Sequence, residues 1–308
     1  MGSSPQPPVK PAPFEYHSPR TLDEALTLLA EFGSDAKPLA GGQSLIPAMN
    51  FRLATPAILV DLNSIAALAF VTPDAGVLRL GGMTRHRTLE RDRNVARFAP
   101  LVSAALPYVA HPAIRTRGTI GGSLAHADPA AELPAVMLAL NATFTLQSRA
   151  GTRHVSATDF FTGLFMTTVE PGELLTEIVI PQQGARGRFA FDEISRRHGD
   201  YALAGAAAAV TLDADGTCTE ARVALLSVGD RPILSEQVSR SLVGRVPSPE
   251  AVRGAAEDAA DRDIDPPGDI HASSRYRRQL ARVLIRRVLQ RAIDNDAVSR
   301  ESRTGGDA

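Results

Sequence analysis

Arg117-Gly118-Thr119-Ile120-Gly121-Gly122-Ser123-Leu124-Ala125-His126-Ala127-Asp128-Pro129-Ala130-Ala131-Glu132-Leu133-Pro134 is the stretch from which the rest of this chain can be read. Paired glycines follow a β-branched residue, and acids stand ahead of an apolar, alanine-rich run. Successive backbone N–H groups turned into one concavity bind an anion such as a diphosphate. Glycine takes the required backbone angles cheaply and lets oxygen come close. Alone, Gly121-Gly122 is equally well a tight turn.

A second stretch changes that balance. Lys37 to Ala40 reads as a short strand and runs into Gly41-Gly42-Gln43-Ser44, another Gly-Gly-polar turn roughly eighty positions upstream. Two such turns can grip the two phosphates of one dinucleotide from opposite sides. Neither contains Gly-x-Gly-x-x-Gly, and no Gly-Lys-Ser/Thr occurs, which disfavours a conventional nicotinamide or ATP fold.

Around these turns the chain has the texture of a globular protein. Its 308 residues allow two or three packed units, and 44% hydrophobic with 22% charged residues is ordinary for such chains. The formal net charge of −1 gives no basic face for nucleic acid. The single cysteine, Cys218, excludes an internal disulfide and a cysteine-ligated cluster within the chain, and it reads as buried filler. The histidines are too scattered to suggest a metal site. No run is long and apolar enough to span a bilayer, and no secretion signal is recognisable, so a cytoplasmic location is expected.

In chain order, residues 1–13 carry five prolines and predict a disordered tail. Thr21 and Glu24 have capping-box spacing ahead of Leu22, Ala25, Leu26 and Leu29, a helix that Gly33 ends. Strands are expected at 57–61, 77–81, 143–147, 152–155 and 174–180, and helices from Thr88 onward, at 100–109 and at 132–140. These make a mixed α/β unit over 14–182, divided near 65–75. After a linker, strands at 188–194, 204–212 and 217–228 and helices at 249–261 and 274–293 predict a smaller α+β unit over 187–295. The last helix mixes apolar residues with seven arginines, expected to be solvated or locally paired. A polar, disordered tail is expected over 296–308.

With Ser195-Arg196-Arg197-His198-Gly199-Asp200-Tyr201 added to the two turns, the chain closely resembles the FAD-binding medium subunit of molybdenum hydroxylases, the xanthine dehydrogenase and aerobic carbon monoxide dehydrogenase family. The matching segments are Lys37 to Pro47, His111 to Ser123 and Ala127 to Pro134. Order and spacing match from about residue 14 to 290. The resemblance implies an α+β protein: a two-subdomain vanillyl-alcohol-oxidase-type FAD-binding domain followed by a smaller domain of antiparallel sheet and helices.

It also implies roles. Leu39, Ala40, Gly41, Gly42, Gln43, Ser44 and Leu45 would wrap one side of the FAD diphosphate, and Thr119, Gly121, Gly122 and Ser123 the other. Glu132 would take the carboxylate place that hydrogen-bonds the adenosine ribose, and Tyr201 would lie near the isoalloxazine ring. His126 and Asp128 share that loop and count among the cofactor contacts, although Asp128 is better suited to capping the segment after it. Histidines 111 and 126 flank the second turn as hydrogen-bond or packing groups. Arg115 and Arg117 could offset the diphosphate charge or order the loop through carbonyls. Two departures stand out: Ser123 where asparagine is frequent, and Asp192 where many members have lysine, which should disfavour reduced, anionic flavin.

The function implied is electron transfer from [2Fe–2S] clusters on a small partner subunit, through FAD, to an external acceptor. A large partner carrying the molybdopterin cofactor would hydroxylate the substrate, in a dimer of heterotrimers. The alternatives are a stand-alone flavin oxidoreductase of the same superfamily and a non-redox nucleotide-binding assembly module.

Overall fold

The computed structural model describes residues 10–184 and 186–304, with side chains as far as Asp294, so most of the expected N-terminal tail lies outside the described residues. Strands Glu15–His17 and Ala36–Leu39 both pair in parallel with Ile58–Asp61. Helix Leu22–Phe32 forms the crossover between the first two. Thr21 caps it, with Glu24 N–H donating to Oγ1 at 3.2 Å, while Glu24 reaches back to Arg20 N–H at 2.8 Å. Gly33 ends it at a φ of 51°, a left-handed angle that glycine takes without strain.

A five-stranded antiparallel sheet follows, in the order Val71–Asp74, Val77–Gly81, Leu174–Pro181, Thr143–Ser148, Gly151–Ser156. The strand placed centrally is thus the last to be made. Short helices lie between, and one of them overturns an expectation: Gly121 and Gly122 do not form a turn but the first turn of helix Ile120–His126, with Thr119 as N-cap. Likewise the Gly41-Gly42 turn opens directly into helix Leu45–Asn50. Helix Glu132–Ala139 is buried along its whole length. Apolar residues all round, rather than one stripe, mark a helix that runs through a core instead of over it.

The third sheet orders Gly187–Ser195, Ala202–Leu212, Cys218–Leu226 and Ile233–Leu234 antiparallel. It is the middle layer of the C-terminal half. Phe191, Ala207, Ala224 and Leu226 pack into the core around helix Glu132–Ala139, whereas Ala190, Ala206, Ala208, Val223 and Leu225 pack with helices Glu236–Leu242, Pro249–Arg262 and Ser274–Thr304. Strand alternation sends successive side chains to these two sides.

The last helix continues to Thr304, past position 295, where the polar tail was expected. Its arginines are largely locally engaged. Arg277 is buried and donates to Leu203 O at 2.6 Å, Arg282 meets Asp261 at 2.7 Å, and Arg291 meets Asp192 at 3.2 Å. Cys218 is fully buried. Among the described residues no helix is long and apolar enough to cross a membrane.

Candidate functional site

The two glycine stretches touch. A Cβ on Gly41 would lie 2.4 Å from the Arg117 carbonyl oxygen and 2.8 Å from Gly118 Cα, and one on Gly122 would lie 3.4 Å from Ala40 Cβ. The first loop leaves strand Ala36–Leu39, takes a left-handed turn at Gly42 (φ 73°) and closes when Ile46 N–H donates to Gly42 O at 3.1 Å. Gln43 Nε2 donates back to Gly41 O at 3.3 Å. Ser44 is the N-cap residue but makes no side-chain cap bond.

The second loop is built differently. Ile120 N–H donates to Thr84 O at 3.0 Å, Gly121 N–H to Gly82 O at 2.9 Å, Gly122 N–H to Thr119 Oγ1 at 3.1 Å and Ser123 N–H to Thr119 O at 3.0 Å. The expected open nest of N–H groups is therefore closed by internal bonds. These glycines serve close approach instead: a Cβ on Gly121 would sit 2.6 Å from Gly82 O, and one on Gly122 2.7 Å from Thr119 Oγ1. Of its polar side chains Ser123 is half-buried, whereas Thr119 is buried and its Oγ1 accepts from Gly122 N–H.

A polar chain that the sequence did not signal ties the loops together. Asn63 Nδ2 donates to Ala40 O at 3.0 Å, and Arg85 donates to Asn63 Oδ1 and to Arg117 O. Burial holds the Arg85 pKa below its ordinary value, with Arg117 adding to the effect. Arg115 is buried; it donates to Val109 O at 2.9 Å and Ala110 O at 3.0 Å and pairs with Glu90 at 3.2 Å. It therefore orders the approach to the loop. Under the loop lies His86, 5% exposed, its pKa pushed down to about 4 by burial.

Beyond helix Ile120–His126 the acids take their places. Asp128 caps its own loop, Ala130 N–H donating to Oδ1 at 2.9 Å. Glu132 opens the buried helix at 9% exposure, and burial lifts its carboxyl to about 7, with Asp128 adding to the rise and Arg115 opposing it. The C-terminal half holds this segment from both ends. Ser227 N–H donates to Pro129 O at 2.7 Å, and Arg222 donates to Leu138 O at 2.8 Å and Ala139 O at 3.2 Å.

Tyr201 is 71% exposed; partial desolvation, then Asp128 and Glu132, raise its pKa. Its loop is seated by Gly199 (φ 86°), where a Cβ would meet the His111 ring at 2.4 Å. The His126 ring meets that of Phe165 at a tilt of 39° with 5.1 Å between centroids, and burial lowers its pKa. Asp192 points away from this seam, toward Arg291 at 3.2 Å and Arg287 at 3.8 Å. The expected anion beside a flavin is thus an ion pair under the last helix. Its neighbour Glu193, missed in the sequence, faces the seam instead.

Two apposed glycine loops, hydroxyl and amide side chains around them, and a buried carboxyl with no other side chain bonded to it among the described residues suit a dinucleotide cofactor. The fold and site thus define a dinucleotide-cofactor-binding protein with a separate C-terminal α+β unit. The chain belongs to the FAD-binding subunits of the molybdopterin dehydrogenases: the FAD binding domain in molybdopterin dehydrogenase matches residues 12–183, and the CO dehydrogenase flavoprotein C-terminal domain matches 189–292.

Relatives agree over nearly the whole length. The alpha subunit of the 6-hydroxypseudooxynicotine dehydrogenase complex of Paenarthrobacter nicotinovorans is 42% identical, covering 96% of this chain and 99% of its own. The carbon monoxide dehydrogenase medium chain of Afipia carboxidovorans is 38% identical, covering 92% and 97%. Among solved structures, carbon monoxide dehydrogenase of Hydrogenophaga pseudoflava superposes with a TM-score of 0.89 at 36% identity, covering 92% of this chain and 98% of that one. Quinoline 2-oxidoreductase of Pseudomonas putida 86 gives 0.88 at 41%, covering 93% and 99%.

Proposed function

We propose that this chain is the FAD-carrying electron-transfer subunit of a heteromeric molybdenum hydroxylase. It would take electrons from iron–sulfur clusters on a small partner and deliver them to an external acceptor, while a large molybdopterin partner acts on substrate, in a cytoplasmic dimer of heterotrimers. The observation that carries the cofactor assignment is the contact of Gly41 with Arg117 and Gly118, which sets the two glycine loops side by side. The partner assignment is supported by the relatives named as subunits or medium chains of dehydrogenases. A chain whose single cysteine is buried must receive electrons from elsewhere.

Bound FAD supplies reversible redox chemistry; the chain's residues hold it. Leu39 to Leu45 would carry one side of the diphosphate, with Gln43 and Ser44 as donors, and Ser123 would stand on the other side. Glu132, ionised, would accept from a ribose hydroxyl. Asp128 would fix the loop, His126 would wall it, and exposed Tyr201 would cover a face of the flavin ring. Residues 14–182 would form the cofactor domain and 187–295 the clamp on its buried helix.

The test is to express the full chain, remove flavin, and titrate FAD while following flavin fluorescence. One FAD per chain with a restored flavin spectrum is expected. Absence of uptake would sink the assignment. Recovery of the native chain with a cysteine-rich small subunit and a large molybdopterin subunit is the expected result for the complex, and a monomer that oxidises substrate unaided would overturn it.

A further inference from the structure

Strand Gly187–Ser195 sends its side chains alternately to its two faces. Phe189 and Phe191 pack on the side of helix Glu132–Ala139, and Ala190 and Ile194 on the side of the last helix. Asp192 follows the second set and meets Arg291 and Arg287. Glu193 follows the first set, on the face of the sheet toward helix Glu132–Ala139, where the charge of Glu132 acts on it. Its Oε2 is buried with no hydrogen-bond partner among the described residues. Across the sheet stands Gly205, where a Cβ would lie 2.6 Å from Leu226 Cδ2 and 3.1 Å from Glu193 Cβ, so only glycine lets Leu226 and Glu193 pack there together.

A buried carboxyl oxygen without a partner costs stability unless a ligand satisfies it. We propose that Glu193 is a second cofactor-positioning carboxyl, which shares one proton with Glu132 across the seam and donates a hydrogen bond to an oxygen of the FAD sugar chain. The inference rests on the FAD reading of the site and adds a donor to its acceptor.

The electrostatics of the seam agree with this geometry. Burial first, then Glu132 and Asp192, push the Glu193 carboxyl up to about 9, whereas Glu132 is lifted to about 7. Between these values the pair holds one proton, which we place on Glu193, leaving Glu132 as acceptor. The other groups facing the pair keep their charge state in this window. Tyr108 and Tyr201 are raised above their ordinary 10.0, and His126 is lowered below its ordinary 6.5. Arg115 acts on Glu132 as a fixed cation, and Arg287 and Arg291 are held by Asp192 on the far face.

The experiment is FAD titration of the deflavinated full chain between pH 6 and 10, for wild type, Glu193→Gln, Glu193→Ala and Glu132→Gln, each checked for folding by its circular dichroism melt. Wild-type affinity should be greatest near pH 8, falling below about 7 as Glu132 is protonated and above about 9 as Glu193 ionises. Glu193→Gln keeps a donor, so it should bind within about twofold of wild type at pH 8 and lose the alkaline fall. Glu193→Ala should bind roughly five- to tenfold more weakly. Glu132→Gln should lose the acid fall. If wild type binds FAD and Glu193→Ala binds it equally at every pH, this inference fails alone. If Glu193→Ala does not fold, an alkaline fall that persists in Glu193→Gln overturns it. A wild type that takes up no FAD overturns the site assignment and this inference together.

Discussion

Gly41 rests against the carbonyl oxygen of Arg117, so closely that a methyl group on it would stand 2.4 Å from that oxygen. The obstacle is backbone on both sides, so no rotamer change relieves it. Gly41→Ala must therefore part the loops, at a cost of about 1–3 kcal/mol, and should abolish FAD retention. Gly121→Ala should behave alike, because Gly82 O lies 2.6 Å from its Cβ position. Gly254→Ala is the control. It lies inside helix Pro249–Arg262 with nothing within 4 Å, and it should raise stability by about 0.5–1 kcal/mol. Chemical denaturation and flavin content measure both effects, and flavin-replete Gly41→Ala protein would contradict the contact.

Arg85 joins the loops through Asn63 and Arg117 O. Arg85→Met keeps the aliphatic stem and removes the donors, leaving a carbonyl and an amide short of partners at a cost of about 1–3 kcal/mol. FAD affinity should fall roughly tenfold while the C-terminal sheet keeps its hydrogen-exchange protection. Asn63→Ala and Arg85→Met should be non-additive in FAD binding, since they break one chain of bonds. Full additivity would show that the two side chains act separately.

His86 makes stability fall on the acid side. Its pKa is about 4 in the folded chain because burial disfavours the cation, against an ordinary 6.5. The unfolded chain therefore binds the extra proton first. Stability is complete above about 6.5 and is lost as pH falls toward 4, by up to roughly 3 kcal/mol from this group. The difference between urea midpoints at pH 7 and pH 5 should shrink in His86→Leu relative to wild type. An unchanged difference would mean that other groups carry the acid sensitivity.

Local signals explain what could be read before the structure. The capping pair Thr21 and Glu24 and the Gly33 stop each lie within a few residues of what they govern. The glycine loops were legible as a pair, but not as helix starts: seven- and six-residue helices are too short for periodicity to show. Asp192 and Glu193 show a deeper limit. Both looked alike as acids in a strand, and only the parity of the sheet decides that one meets Arg291, 99 positions away, while the other faces the seam. Asn63, Arg85 and Arg222 act on carbonyls brought near by the fold, and nothing in their own neighbourhoods marks them.

Arg222 supplies the last expectation, because it acts on Glu132 from the opposite end of one helix. Its guanidinium donates to Leu138 O and Ala139 O at the C-terminus of helix Glu132–Ala139, where the helix dipole favours a cation. Burial lowers its pKa, yet it stays charged. Arg222→Ala takes the donor from the Ala139 carbonyl, while Leu138 O keeps Asn141 N–H at 3.2 Å, so it should cost about 1–3 kcal/mol and loosen the helix that carries Glu132. FAD binding should weaken less in Arg222→Ala than in Glu132→Gln, since the acid remains but is held less firmly. Arg222→Lys, with one charge and no fork, should recover part of the stability. If Arg222→Ala instead weakens FAD as much as Glu132→Gln, the clamp governs the acid's position more than the helix itself does.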